Sequence, residues 1–256
     1  MGGSSYQSGV TMYKTLLGAT LALGLMGTAS AAVSCASFPN HTINNFVNND
    51  VVAVGTSCTI GPSGSVNGNV LQTGEGSLVV RGTVNGSVTE DGPGDLVLAR
   101  GARVSGDVSE NDIGNISIRS GATIDGAIEE SGDGSVNVTV DLPGLVKGNI
   151  YENGNGGVTV NAASGSFEGS VSETGPGGVA VVVNFGMSFK GDIEEADGGG
   201  VTAEVNGFFE GNIAERLGGN VSTTGVGIFK GNTEHQLPGT CSNTIVRVEG
   251  SVCQLI

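Results

Sequence analysis

Val66-Asn67-Gly68-Asn69-Val70 is the stretch that decides the fold: an apolar residue, any residue, a glycine, a small polar residue and an aliphatic one. The unit returns with its glycine at Gly86, Gly106, Gly126, Gly148, Gly169, Gly191, Gly211, Gly231 and Gly250, at spacings of 18, 20, 20, 22, 21, 22, 20, 20 and 19 residues. A period this steady marks a repeat architecture in which each unit stacks on the one before.

Working outward from each anchor glycine, the residue two before it is Val66, Val84, Val104, Ile124, Val146, Phe167, Phe189, Phe209, Phe229 or Val248, and the residue two after it is aliphatic except at Thr233. Ten and twelve places after the first anchor, Leu78 and Val80 begin two more apolar columns, which run to Val221 and Thr223, with Cys241 closing the first. This alternation predicts two short strands per coil. Between them a glycine stands eight places after the anchor, from Gly76 and Gly94 through Gly156 to Gly239, which calls for positive φ or close stacking on the next coil. Length varies after the second strand, as at Leu142-Pro143-Gly144, where an insertion can bulge outward.

The expected fold is all-β: a single-stranded parallel β-solenoid of about ten coils of ~20 residues each. A lone coil cannot fold, because burying four aliphatic side chains yields roughly 1.5–3 kcal/mol each. Ordering its backbone costs about 1–2 kcal/mol per residue. Stacked coils share a core and strand ladders, so stability becomes a sum over neighbours. Handedness and the number of sides are not legible.

Composition agrees. In 256 residues there are 47 glycines, no tryptophan and three tyrosines, which excludes an aromatic-rich core. The start reads as an export signal over residues 1–31: Lys14, the apolar run Leu16 to Met26, then Ala29-Ser30-Ala31. Its removal takes away one positive charge, so a net charge of −15 becomes more negative still, which argues against nucleic acid as a partner. No later stretch could cross a bilayer as a helix. The four cysteines Cys35, Cys58, Cys241 and Cys253 cluster at the two ends of the mature chain. An even count in an exported chain suggests two local disulfides, Cys35–Cys58 and Cys241–Cys253. The expected organisation is a signal peptide (1–31), an N-terminal cap (32–60), solenoid repeats (61–240) and a C-terminal half-coil and cap (241–256).

Two ladders stand out. Four residues after the anchor come Gln72, Glu90, Glu110, Glu130, Glu152, Glu173, Glu195, Glu215 and His235. Stacked carboxylates about 4.8 Å apart repel by roughly 3–4 kcal/mol per neighbour at an effective dielectric near 20. Three compensations are open: turn N–H groups bracing each carboxylate, protons shared between neighbours, or a divalent cation such as Ca2+. No Gly-Gly-x-Gly-x-Asp calcium repeat accompanies the row. One residue before the anchor, Lys147, Glu168, Lys190, Glu210 and Lys230 alternate in sign, which favours one register of stacking. The Phe167, Phe189, Phe209, Phe229 column shares the inward parity and is read as stacked core.

The Val-x-Gly-Asn/Asp-Val unit resembles bacterial parallel β-helix repeats, among them filamentous-haemagglutinin-like adhesin stalks and the bactofilin repeat, over about residues 60–253. The resemblance implies a class and no single family. The sequence contains no nucleophile elbow, phosphate-binding loop or dinucleotide fingerprint, and the acidic pairs Glu129-Glu130 and Glu194-Glu195 should point to opposite faces of a strand. The expectation is therefore non-enzymatic: a secreted or surface adhesin, spacer or matrix subunit, located outside the cell, at a bacterial cell surface or in the periplasm. Its partners would be other copies end to end, or a cell-surface or glycan ligand. The alternative is a β-helix that binds or degrades polysaccharide.

Overall fold

The structure is a computed structural model, and it describes residues 31–142 and 144–256. The signal segment, apart from Ala31, lies outside the described residues, as does Pro143 of the insertion.

The chain winds as a parallel β-solenoid with three faces. Twelve strands form the first sheet, from Val33–Ser34 to Gln254–Leu255, and eleven form each of the others, Thr42–Ile43 to Cys241–Asn243 and Phe46–Val47 to Arg247–Glu249. Neighbouring strands pair in parallel, and like positions meet, as in Val88↔Val70 and Val88↔Val108. The anchor glycines undercount the turns by one. Val47 pairs Val66, so Asn49 holds the place of an anchor in the first coil.

Three strands per coil replace the two expected. Ser65–Val66 belongs to the third sheet and Val70–Thr73, the next strand in the chain, to the first, with the anchor glycine at the corner between them. The corner keeps period-two parity, since Val66 and Val70 both point inward and are buried. A sequence pattern of alternation therefore passes through the bend without registering it. The segment expected as an N-terminal cap already contributes strands to all three sheets, with two 3-10 turns, Cys35–Ser37 and Pro39–His41, between its first two strands.

The small polar residue after the anchor, present in every repeat but that of Ala127, has a structural task. Its side-chain oxygen accepts the backbone N–H of its counterpart one coil on: Asp50 from Asn69 at 2.7 Å, Asn69 from Ser87 at 2.9 Å, Asp192 from Asn212 at 2.7 Å, Asn212 from Asn232 at 3.1 Å. A second corner ladder runs Ser57, Ser77, Asp95, Asn115, Ser135 in the same manner. Corner N–H groups that the sheets leave unpaired are thus satisfied, as buried or half-buried backbone requires. Between Val136 and Val205 the second-sheet strands lengthen to five residues and add a further inward column, Val140, Ala162, Val183 and Val205, all buried.

The glycine eight after the anchor is demanded by space and not by dihedral angle. Of that column only Gly76, at φ +136°, has a left-handed backbone; at Gly94, Gly114, Gly134, Gly156, Gly177 and Gly199 an added Cβ would fall on the carbonyl oxygen of the glycine one coil back. The disulfides Cys35–Cys58 and Cys241–Cys253 close the two ends, their Cα atoms 6.0 and 5.3 Å apart. Cys58 pairs Leu78 and Cys241 pairs Val221, so both lie in one core column.

Candidate functional site

The glutamate row sits inside the solenoid, at the end of each first-sheet strand just before the glycine corner. Glu90, Glu110, Glu130, Glu152, Glu173, Glu195 and Glu215 are each 0% exposed. Their register is continuous: Gln72 pairs Glu90, Glu90 pairs Glu110, Glu110 pairs Glu130, Glu130 pairs Glu152, Glu152 pairs Glu173, and Glu195 pairs both Glu173 and Glu215. One oxygen of most members braces the turn that follows. Glu110 accepts the N–H of Asp112 at 3.1 Å, Glu130 that of Gly132 at 2.9 Å, Glu152 that of Gly154 at 2.9 Å, and Glu173 that of Gly175 at 2.7 Å. Glu215 takes the N–H of Leu217 at 2.8 Å. Glu195 takes three, from Asp197 and Gly199 at 2.9 Å and from Gly200 at 3.2 Å. A glutamate is the residue for this place because its carboxylate reaches two residues ahead and accepts charge-assisted bonds from N–H groups that the tight turn cannot pair internally.

Burial drives several of these carboxyl groups upward in pKa. Glu90 and Glu130 rise from the ordinary 4.5 to about 8, and Glu173 to about 9, first through loss of water and then through side-chain bonds to neighbouring glutamates. Glu110 is also raised by burial, but the Asp112 N–H and side-chain bonds from Glu90 and Glu130 pull it back down.

Of the compensations foreseen, turn bracing is present in the geometry. Calcium takes six to eight oxygen ligands, and among the described residues no group of three or more His, Cys, Asp or Glu side chains is arranged to hold an ion. The melting temperature is accordingly expected to be the same in chelator as in millimolar calcium; a rise with calcium, read by circular dichroism, would contradict this.

The acidic pairs split as strand geometry requires: Glu130 and Glu195 are buried while Glu129 and Glu194 are exposed. Glu194 instead meets Arg216 at 3.2 Å, whose other side lies 3.8 Å from Glu234, an outward cluster that spacing alone did not reveal. The alternating charges do stack, Lys147↔Glu168↔Lys190↔Glu210↔Lys230, and Glu249 extends the row, but among them Lys230–Glu210 at 3.1 Å is the pair in contact. Lys190→Glu would set like charges between Glu168 and Glu210. Its expected cost is about 0.2–1 kcal/mol per pair, at the low end because the side chains are half exposed. Urea unfolding at low and high salt should show the penalty shrinking with salt.

The four phenylalanines stack ring over ring, with centroids 4.8, 4.8 and 5.0 Å apart and all four at 0% exposure, so they are core and offer no strip to a sugar. Compared with family models, curated proteins and solved structures, the chain matches none.

Proposed function

We propose that this chain is an exported, non-enzymatic structural module, a rigid spacer or adhesin or a subunit that stacks end to end in an extracellular matrix. The observation that carries the reading is that the one repeated row with the chemistry for catalysis or metal binding is turned inward, all seven glutamates at 0% exposure. No polymeric substrate reaches it there, and what remains for a partner is the outside of a stiff prism. Two disulfides suit an oxidising compartment. No helix among the described residues is long and apolar enough to cross a membrane. Each sheet ends in a short strand paired on one side only, and such edges accept further parallel strands, a physical route to end-to-end association.

Negative-stain electron microscopy of the secreted protein tests the proposal. Files of rods one solenoid wide, or single rods bound to cells or matrix, are the expected result. Dispersed monomers that bind neither would overturn it.

A second reading, polysaccharide binding, draws on a solvent-open shelf beside the glycine corner, lined by Asn111, Asp112, Ser131, Asp133, Asn153 and Asn155. Polar side chains repeated at coil spacing suit a linear glycan. Retardation in gels containing acidic or neutral polysaccharide, lost in Asn153→Ala, would favour this reading over the first.

A further inference from the structure

The second oxygens of Glu110, Glu130, Glu152, Glu173 and Glu215, and both oxygens of Glu90, are buried with no donor in hydrogen-bond geometry. What faces them can be enumerated from the fold. Along the column stand the other carboxylates, one coil above and below. On the corner side are the turn amides and Asp112, whose charge bears on Glu90 and Glu110. Toward the middle of the solenoid lie the apolar columns of the other two sheets. The column ends in Gln72 at one extreme and His235 at the other, where the Nδ1 of His235 is also buried without a partner. Arg216, next in the chain to Glu215, reaches outward to Glu194 and Glu234 and does not neutralise the row.

Two ionised carboxylates cannot hydrogen-bond each other, and a dry interior magnifies their repulsion. One proton placed between them removes a charge and creates a donor for the unpartnered oxygen. Because every member between Glu90 and Glu215 has a like neighbour on both sides, the arrangement that serves them is alternation. We infer that the glutamate column is a proton-sharing ladder in which alternate members hold a proton donated to ionised neighbours in adjacent coils, so that stacking the coils takes up protons and alkali loosens the solenoid along this edge.

The members fall into the two roles. Glu90, Glu130 and Glu173 rise to about 8–9 and are the donors; Glu110 is raised by burial as well, but the bonds it receives from Glu90 and Glu130 oppose that rise and mark it as an acceptor. The sign follows from linkage. A carboxyl whose folded pKa exceeds its unfolded value contributes its full stability below about 4.5, loses it as pH rises, and has lost it all above about 8–9. Each donor makes the unfolding equilibrium constant grow up to about tenfold per pH unit in that window.

Urea unfolding of the mature protein from pH 5 to pH 9 tests the inference. The expected result is a midpoint that falls steadily over that range, with the slope largely removed in Glu90→Gln/Glu130→Gln/Glu173→Gln, whose amides mimic protonated carboxyls. Glu129→Gln, on the outward face, should leave the slope as it was. Infrared spectroscopy of the wild type at neutral pH should show the carbonyl stretch of protonated carboxylic acid, vanishing in alkali, and this readout stands even if the triple variant fails to fold. A midpoint independent of pH above 6, an unchanged slope in a folded triple variant, or no protonated-carboxyl band would each overturn the inference.

Discussion

Gly156→Ala is expected to cost about 4 kcal/mol or more and to open the solenoid between two central coils, a loss in the range reserved for severe steric faults. The reason is position in a column of backbones. A methyl at Gly156 would fall on the carbonyl oxygen of Gly134, and Gly177 in turn needs the space over the carbonyl of Gly156. Neither backbone can give way, because the flanking turns are tied by Glu130 to Gly132 and by Glu152 to Gly154. Overpacking a flexible side chain would let a rotamer move; overpacking a carbonyl forces coils apart and breaks strand pairs on both sides. Gly186→Ala is the informative contrast. Gly186 has φ +76° with nothing within 4 Å of an added Cβ, so it should cost only the left-handed penalty of about 1–2 kcal/mol. Denaturant unfolding of both variants checks the difference, and equal losses would show that dihedral angle and not stacking sets the glycine requirement.

Phe209→Ala should be nearly as damaging, at about 3–5 kcal/mol for the cavity left by a buried phenylalanine. Phe209 is 0% exposed and lies between the rings of Phe189 and Phe229, at 4.8 and 5.0 Å, so both neighbours lose a face as well. The stacked spacing equals that of the strands, which means backbone register sets the ring distance and leaves the neighbours little freedom to close the gap. In a chain whose stability is summed coil by coil, the damage should be local. Hydrogen exchange should accelerate most in the coils holding Phe189 to Phe229, while the coils around Val84 to Ile124 keep their protection. Uniform acceleration over all coils, or a loss below about 1 kcal/mol, would contradict this picture of nearest-neighbour stability.

Much of the glutamate column was legible before any coordinates, because residues at a fixed offset from an anchor glycine must stack once the coils do. The same reasoning found the phenylalanine file and the alternating charges, while the even cysteine count at the two ends gave the two disulfides. Other features left too faint a trace. The corner at each anchor preserves alternation, so Val66 and Val70 read as one strand although they belong to different faces. Asn49, standing where an anchor glycine would, hid the first coil from a search for glycine. Arg216 gathers Glu194 and Glu234 from coils on either side, and offsets along one column do not expose a diagonal contact.

Periodicity alone therefore determined that this chain is a stacked parallel solenoid and which residues share a file, since a repeat of near twenty with paired apolar columns has one economical way to bury them. Three-dimensional packing decided the rest: three faces, the steric origin of the corner glycines, and the burial of seven carboxylates, most of them with one oxygen braced and the other left to its neighbours. Those properties depend on distances between coils, and a distance between residues twenty apart exists only after the chain has closed a turn upon itself.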